Sequence, residues 1–118
     1  MSFHALEVSI ELIQSLREPL GSLERRDPDL ARQIRRAAAS VPLNVSEGRR
    51  RNGKDRIHLW RVAAGSANEL AAGLRVAEAF GYVSAEAVEP SLLLCDRVLA
   101  MLWRMTSQPA AARAAESR

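Results

Sequence analysis

Apolar residues that recur at intervals of three and four between positions 60 and 77 constrain the fold of this chain more than any other feature. They are Trp60, Ala63, Ala67, Leu70, Leu74 and Ala77. The alternating intervals put all six side chains on one stripe of an α-helix, whereas a half-buried strand would need an apolar residue at every second position. Seams of this kind pack long helices against antiparallel neighbours. The stretch therefore predicts one long helix inside a helical bundle.

The composition extends this prediction to the whole chain. Of 118 residues, 20 are Ala and 15 are Leu, whereas Val and Ile together number 12 and the aromatic residues number 5. Ala and Leu favour helix, while β-branched and aromatic residues favour strands. The length fits one domain. We predict an all-α domain over residues 1–106, and we expect the Ala-rich tail 107–118 to be partly disordered because it has no apolar seam.

The first predicted helix begins near the start of the chain. It starts at Phe3 and places Leu6, Ile10 and Ile13 on its apolar face. Apolar residues at intervals of four and three are typical of an amphipathic helix. We predict that this helix runs to Leu16, and we expect Pro19 and Gly21 to break the helical pattern after it.

The second predicted helix has a strong start signal. Asp27 is expected to cap it, and Pro28 fits the first turn, where an N–H has no intrahelical partner. Farther along, Pro42 removes the hydrogen bond to the carbonyl of Ala38, which predicts a kinked second helix. The predicted buried stripe consists of Leu30, Ile34, Ala37 or Ala38, Val41 and Val45.

Two connections delimit the long third helix. The polar segment 48–53 is predicted to be the loop before it, with Asn52 as its N-terminal cap. Gly81 is expected to end it, and Ser84 to cap a fourth helix with two apolar seams. The first seam comprises Val88, Leu92, Cys95, Leu99 and Leu102, and the second comprises Leu94, Val98, Met101 and Met105.

Four helices with short connections predict an antiparallel up-down-up-down four-helix bundle. The two seams of the fourth helix exceed what one bundle core covers, and Gly65, Ala72 and Ala79 add small residues at intervals of seven on the third helix. Apolar surface left over usually marks an interface, so we expect self-association. The alternative is that the second seam only widens the core stripe.

Basic residues are unevenly distributed along the chain. The net charge is +3, from 17 basic and 14 acidic residues, but residues 25–61 hold 11 basic and 4 acidic residues and carry +7, which leaves −4 elsewhere. Clustered cations release counterions when they meet phosphates, so the stretch predicts a nucleic-acid-binding surface; the alternative is a solvated helical face. The candidate binding residues are Arg35, Arg36, Arg49, Arg50, Arg51, Lys54 and Arg56.

Catalytic and cofactor motifs are sparse. Gly48, Gly53 and Lys54 match a phosphate-binding loop, but Asp55 stands where that loop needs Ser or Thr for magnesium, so no nucleotide site is predicted. The single cysteine, Cys95, falls in an apolar seam, and no His or carboxylate set has the spacing of metal ligands. We expect no enzymatic activity, no cofactor and no metal.

Membrane and export segments are not predicted either. Residues 1–11 lack the basic start and apolar core of a secretory signal. No run approaches the roughly 20 apolar residues that a membrane helix needs. We expect a cytoplasmic protein.

Glu69 lies in the predicted third helix between Ala67 and Leu70. A carboxylate among apolar neighbours is expected to be partly buried, and a buried carboxylate needs a partner. Arg36 or Asn44 on the second helix is the predicted partner. We interpret Glu69 as a structural residue.

One long motif carries a resemblance to a known family. Residues 33–48 read Q-I-R-R-A-A-A-S-V-P-L-N-V-S-E-G, and the pattern continues at 64–66, 69–70 and 81–82. In these residues the chain resembles the bacterial four-helix-bundle proteins encoded in intervening sequences of 23S ribosomal RNA genes. That family also includes the accessory variability protein of diversity-generating retroelements, a basic pentameric barrel that binds nucleic acid and its reverse transcriptase.

The resemblance implies an up-down four-helix bundle that assembles as a homopentameric ring and has no known enzymatic activity. Its implied partners are further copies of the chain, RNA or DNA, and a reverse transcriptase. Arg35 and Arg36 belong to the motif, together with a structural signature expected to hold the helix kink and the bundle in shape. The signature comprises Ser40, Pro42, Asn44, Glu47, Gly48, Ser66 and Glu69.

Two functions from different classes fit these predictions. The first is a non-enzymatic oligomer that binds RNA or RNA/DNA hybrids through phosphate contacts, since the Arg guanidinium donates bidentately to phosphate. Trp60 is the only aromatic residue expected near the basic stretch, so base stacking is predicted to be weak. The second is a homo-oligomeric scaffold that docks a partner protein such as a reverse transcriptase and does not itself bind nucleic acid.

Overall fold

The protein is helical throughout the part that its computed structural model describes, residues 3–107. These residues form five α-helices and no strand: α1 (His4–Ser15), α2 (Arg17–Arg26), α3 (Pro28–Arg49), α4 (Gly53–Ala79) and α5 (Ala85–Ser107). The prediction of an all-α fold is confirmed. Within the described range, no helix combines the length and apolar character needed to span a membrane. Of the predicted tail, Ser107 closes α5 and the rest lies outside the described residues.

The first predicted helix corresponds to α1, and a helix that the sequence did not predict, α2, follows it after Leu16. The Leu16 N–H donates to the carbonyl of Ile13 at 3.1 Å, and Leu20 donates to the carbonyl of Leu16 at 2.9 Å, so helical bonding resumes at once. Helix α1 ends at Ser15, so the predicted end before Pro19 is right, but the expected break of the helical pattern at Pro19 and Gly21 is wrong. Pro19 lies in the first turn of α2, where its missing N–H costs no helical hydrogen bond.

The buried face of α1 also differs from the prediction. Ala5, Val8 and Leu12 are buried, while Ile10, which was expected on the apolar face, is 44% exposed. Val8, Leu12 and the buried Leu16 recur at intervals of four, so helical spacing alone does not choose between the two stripes. Packing of α1 against α3 and α5 selects the one that is buried.

Helix α3 begins as predicted and continues farther. The Asp27 side chain accepts a hydrogen bond from the N–H of Leu30 at 3.0 Å, which confirms the cap. The helix passes through Pro42 and ends only at Arg49, so the predicted loop 48–53 is wrong in extent and the connection to α4 is residues 50–52. The kink at Pro42 stays a prediction. The predicted stripe is confirmed for Ile34, Ala37, Ala38, Val41 and Val45, which are buried, and Leu30 is half-buried.

Helix α4 starts and ends where the sequence indicates. Asn52 occupies its N-cap position, although its side chain makes no capping hydrogen bond. At the other end Gly81 has a φ of +78°, and the N–H of Tyr82 donates to the carbonyl of Ala77 at 3.0 Å. This left-handed termination favours glycine and confirms Gly81 as the end signal. Ser84 caps α5, because its hydroxyl accepts a hydrogen bond from the N–H of Ala87 at 3.1 Å.

The core runs along the long axis of a body measuring 46 × 22 × 22 Å, in two adjoining clusters. All six residues of the predicted α4 seam are buried, which confirms it as the central element of the core. The first cluster includes Leu12, Leu16, Leu23, Ile34, Leu70, Leu74, Val88 and Cys95. The second includes Phe3, Val8, Val41, Val45, Trp60, Val98, Leu102 and Met105. Leu94 packs against both clusters.

The second seam of α5 belongs to the core. Val98 and Met105 are buried, and Leu94 and Met101 pack half-buried against the core. The premise that this seam is left uncovered is therefore wrong, and the alternative that it widens the core stripe is right. Exposed large apolar side chains lie elsewhere, at Ile10, Leu43, Val62, Val76, Phe80, Leu93 and Trp103.

Candidate nucleic-acid interface

Basic residues converge at one end of the helices, over residues 49–61, which we call the basic end. Helices α3 and α4 run side by side in opposite directions, since Ser40 contacts Ser66 and Val45 contacts Trp60. The last turn of α3, the connection 50–52 and the first turns of α4 therefore meet. Residues 49–61 include six basic residues and one acidic residue, a charge of +5.

The predicted basic stretch does not form one surface. Arg35 and Arg36 lie earlier on α3, about 20 Å along the helix from Arg49 at 1.5 Å per residue. Arg35 pairs with Glu24 at 3.4 Å, and Arg36 is exposed. The structure brings five of the seven candidate binding residues together, namely Arg49, Arg50, Arg51, Lys54 and Arg56, and separates the other two from them.

Arg56 is held by the backbone of the neighbouring helix. Its Nε donates to the carbonyl of Gly48 at 3.1 Å and its Nη2 to the carbonyl of Arg49 at 2.8 Å. The guanidinium carbon also lies 5.4 Å from the centroid of the Trp60 ring. The last carbonyls of a helix lack intrahelical partners and favour a cation. Arg56 therefore fixes the end of α3 against α4 and so holds the connection 50–52 in place.

Arg49 and Arg51 are tethered less firmly. The guanidinium carbon of Arg49 lies 4.7 Å from the centroid of Phe3, whose ring is tilted against Trp60 with the centroids 6.2 Å apart. Arg51 pairs with Glu47 one turn earlier, at 3.1 Å between Nη2 and Oε1. Both partners of this pair are about half exposed, and such pairs contribute about 0.2–1 kcal/mol. Arg51 can therefore exchange Glu47 for a phosphate at little cost.

Three further cations point to solvent at this end. Arg50, Lys54 and Arg61 are exposed, and none of their side chains makes an ion pair or hydrogen bond with any residue in the range 3–107. Exposed cations without internal partners keep their full charge available to an anion. They are the strongest candidates for phosphate contacts.

A hydrogen-bonded cluster of signature residues joins α3 to α4. The Ser66 hydroxyl donates to the Ser40 hydroxyl at 2.7 Å. The amide nitrogen of Asn44 donates to the same hydroxyl at 3.0 Å and to the Ser40 carbonyl at 2.9 Å. These half-buried contacts fix the two helices in register, which positions the basic end about one to three turns away.

Gly48 and Trp60 form the second link between these helices. Trp60 is fully buried and donates its Nε1–H to the carbonyl of Val45 at 3.1 Å. A Cβ atom on Gly48 would lie 2.6 Å from the indole, so only glycine admits the ring this close to α3. Pro42 is buried in the same helix. These signature residues shape the support beneath the basic end.

Glu69 is the signature residue that departs from its predicted role. It is exposed, beside a groove between α3 and α4 that Gln33 and Val76 also line. Its carboxylate makes no hydrogen bond or ion pair within the described part of the chain. The predicted burial and pairing with Arg36 or Asn44 are wrong, because the side chain is exposed to solvent at the edge of this groove.

Cys95 belongs to the first core cluster, away from the basic end, and is a buried free thiol. Burial, and to a smaller extent the charge of Asp96, raises the pKa of the thiol to about 12. A protonated thiol is a poor nucleophile and a poor metal ligand. Across residues 3–107, no group of three His, Cys, Asp or Glu side chains is placed to hold a metal ion.

Sequence reasoning missed two residues of this region, Arg61 and Trp103. Trp60, the aromatic residue expected near the basic stretch, is fully buried, whereas Trp103 is 67% exposed and shares a groove with Arg61 between α4 and α5. Arg61 could have been found, because Lys54, His58 and Arg61 recur at intervals of four and three on one face of α4. The position of Trp103 follows only from the packing of α5.

Comparison with known proteins agrees with this architecture. A crystal structure of a protein with unknown function from the S23 ribosomal protein family of Bacteroides thetaiotaomicron superposes with a TM-score of 0.79 at 18% identity, covering 88% of this chain and 99% of that chain. At this identity the likeness shows the fold alone. No curated protein matches the sequence. The model of the family described as 23S rRNA-intervening sequence protein matches residues 3–104. The chain therefore belongs to the 23S rRNA-intervening sequence protein family.

Proposed function

We propose that this protein is a non-enzymatic accessory protein that binds RNA or RNA/DNA hybrids through phosphate contacts at its basic end. The observation that carries the proposal is the convergence of six basic residues and one acidic residue over residues 49–61. Clustered Arg and Lys side chains gain free energy from counterion release when they replace cations around phosphates. Arg adds bidentate donation to phosphate oxygens.

The opposite end of the helices supports the proposal by contrast. Residues 25–36 hold five basic residues, but two of them pair with nearby carboxylates. Arg32 pairs with Asp29 at 2.9 Å, and Arg35 pairs with Glu24 at 3.4 Å. The same number of arginines therefore presents a weaker field there, and a polyanion is drawn to the basic end.

We further propose that α1 and α2 act as one bent helix in an antiparallel four-helix bundle, and that the bundles assemble as a homopentameric ring related to the retroelement accessory protein. Exposed large apolar side chains on α3, on α4 and at the C-terminal end of α4 support self-association: Leu43 is 67% exposed, Phe80 66%, Val76 43% and Val62 37%. A ring would repeat the basic end five times. Light scattering on a sizing column tests this, and a monomer contradicts it.

The phosphate-binding proposal is tested by the salt dependence of affinity. In the test variant, Arg50, Arg51 and Lys54 become Ala, and Arg49 is kept because it packs on Phe3. Affinity for a 20-base-pair RNA/DNA hybrid is measured by fluorescence anisotropy from 50 to 200 mM salt. The slope of log K against log salt is expected to flatten by about 0.9 for each lost duplex phosphate contact, or about 2.7 in all.

A matched control removes the same charge elsewhere. Arg25, Arg32 and Arg75 are exposed and lie away from the basic end, so their replacement by Ala lowers the net charge equally. The control is expected to retain the wild-type slope within one phosphate contact. Equal slopes in the test variant and the wild-type protein would contradict the proposal, and equal flattening in both variants would show that net charge alone acts.

The second candidate function is the homo-oligomeric scaffold that docks a partner protein such as a reverse transcriptase. The exposure of Leu43 and Phe80 favours it, because large exposed apolar side chains mark protein contacts. Two results together would replace the first function with this one. The wild-type protein would bind no nucleic acid at 50 mM salt, and it would bind stably to a reverse transcriptase encoded beside it.

A further inference from the structure

A groove beside the basic end combines a cation with an exposed aromatic ring. It has a volume of about 550 Å³ and lies between α4 and the last turns of α5. Arg61 and Asn68 line it from α4, and Trp103 and Thr106 line it from α5. Among the described residues, no Asp or Glu lines this groove. Its wall is therefore apolar and hydrogen-bonding, with one positive charge and no negative one.

Trp103 is the unusual member of this groove. Its side chain is 67% exposed, whereas the other tryptophan, Trp60, is fully buried and hydrogen-bonded to the backbone. An exposed indole offers a flat π-face, and stacking of a nucleobase on such a ring contributes about 1–3 kcal/mol per base. Trp103 can therefore stack on a nucleobase, whereas the buried Trp60 cannot.

The groove continues directly into the exposed cations of the basic end. Lys54, His58 and Arg61 lie on one face of α4 at intervals of four and three, and all three are exposed. Lys54 and Arg61 are about 10 Å apart along the helix at 1.5 Å per residue. A nucleic-acid strand that contacts both cations with its phosphates would therefore bring a neighbouring base to Trp103.

We propose that this groove binds an unpaired base of single-stranded nucleic acid, with Trp103 as the stacking platform and Lys54 and Arg61 as phosphate contacts. The inference rests on the proposed phosphate-binding function and deepens it by naming the strand state. A base inside a duplex is stacked on its neighbours on both sides, so its face is closed to Trp103. The groove therefore selects single strands, while the remaining cations of the basic end bind duplex and single strand alike.

The test compares Trp103→Ala and Trp103→Phe with a control variant on the same helix. Leu93 is 58% exposed and does not line the groove, so Leu93→Ala removes a comparable apolar side chain elsewhere. Each variant is checked by circular dichroism, and its affinity for a labelled 20-nucleotide uridine strand, a thymidine strand and a 20-base-pair hybrid is measured at 100 mM salt. The two single strands separate RNA preference from DNA preference.

Trp103→Ala is expected to weaken single-strand binding about 5- to 150-fold, which corresponds to the loss of one stacked base. It should leave hybrid binding within twofold, and Trp103→Phe should retain most of the single-strand affinity. The Leu93→Ala control should match the wild-type protein. Binding of the uridine strand should also quench the wild-type tryptophan fluorescence, and the quenching should vanish in Trp103→Ala.

Three results would overturn the inference. If Trp103→Ala keeps its single-strand affinity while the variant lacking Arg50, Arg51 and Lys54 loses affinity, the stacking site is refuted and the proposed phosphate-binding function is retained. No binding of any nucleic acid by the wild-type protein removes both. A change of oligomeric state in Trp103→Ala, with equal losses on single strand and hybrid, assigns the ring to contact with a second copy of the chain.

Discussion

Replacement of Gly48 by Ala probes how closely α3 and α4 approach beneath the basic end. The added Cβ atom would lie 2.6 Å from both Cδ1 and Nε1 of Trp60, well inside van der Waals contact. Trp60 is fully buried, and its Nε1–H donates to the carbonyl of Val45 at 3.1 Å. The ring cannot retreat without disturbing that hydrogen bond, so the strain falls on the helix pair.

The expected cost follows from opposing terms. Forcing an extra carbon into a packed core costs about 1–3 kcal/mol, and disturbing the Trp60 hydrogen bond adds about 0.5–1.5 kcal/mol. The better helix propensity of Ala returns about 0.5–1 kcal/mol. We therefore expect Gly48→Ala to lower the free energy of unfolding by about 0.5–4 kcal/mol. For a domain of this size, each kcal/mol corresponds to a fall in Tm of about 4–8 °C.

The assay is thermal and urea unfolding followed by circular dichroism, with Gly65→Ala as the matched control. Gly65 also lies inside a helix, but a Cβ atom there would meet no other atom within 4 Å. The control is therefore expected to gain up to about 1 kcal/mol from helix propensity. If Gly48→Ala proved as stable as Gly65→Ala, the close approach of Trp60 to Gly48 would be refuted.

Two further predictions concern other contacts. Ser66→Ala removes the donor to Ser40 and is expected to cost about 1 kcal/mol in urea unfolding; an additive effect with Ser40→Ala would contradict a shared hydrogen bond. Since burial raises the pKa of Cys95 to about 12 from an ordinary 9.0, the folded thiol should react at pH 8 about 1000-fold more slowly with a thiol reagent than the unfolded one. Between pH 9 and 12 the unfolded thiol loses its proton while the folded one keeps it, so the contribution of Cys95 to stability falls across that window; fast labelling of folded protein at pH 8 would contradict its burial.

We interpret the signature residues as a support for the basic end and not as contacts to nucleic acid. Ser40, Asn44 and Ser66 set the register of α3 and α4, and Gly48 admits Trp60 between them. Each lies within a few turns of the cations at residues 49–61. Variants of these residues are therefore expected to alter nucleic-acid affinity only as far as they disturb the basic end.

Individual residues show where sequence reasoning succeeded. The seam from Trp60 to Ala77, the cap at Asp27 and the end signal at Gly81 are all confirmed, because each depends on helical periodicity or on hydrogen bonds between near neighbours. Sequence reasoning failed where two apolar stripes fitted the helical spacing equally well. In α1 the stripes containing Ile10 and Leu12 have the same spacing, and only the packing of α1 decides that Leu12 is buried.

The sequence by itself determined that the chain is helical, which face of α3 and α4 is buried, and which residues are basic, because periodicity and capping act over a few residues. Only the tertiary structure decided which of those basic residues meet. It paired Arg35 with Glu24 of α2, placed Glu69 in solvent, and brought Trp103 beside Arg61. These outcomes depend on how helices distant in sequence lie against one another, and no local pattern records that.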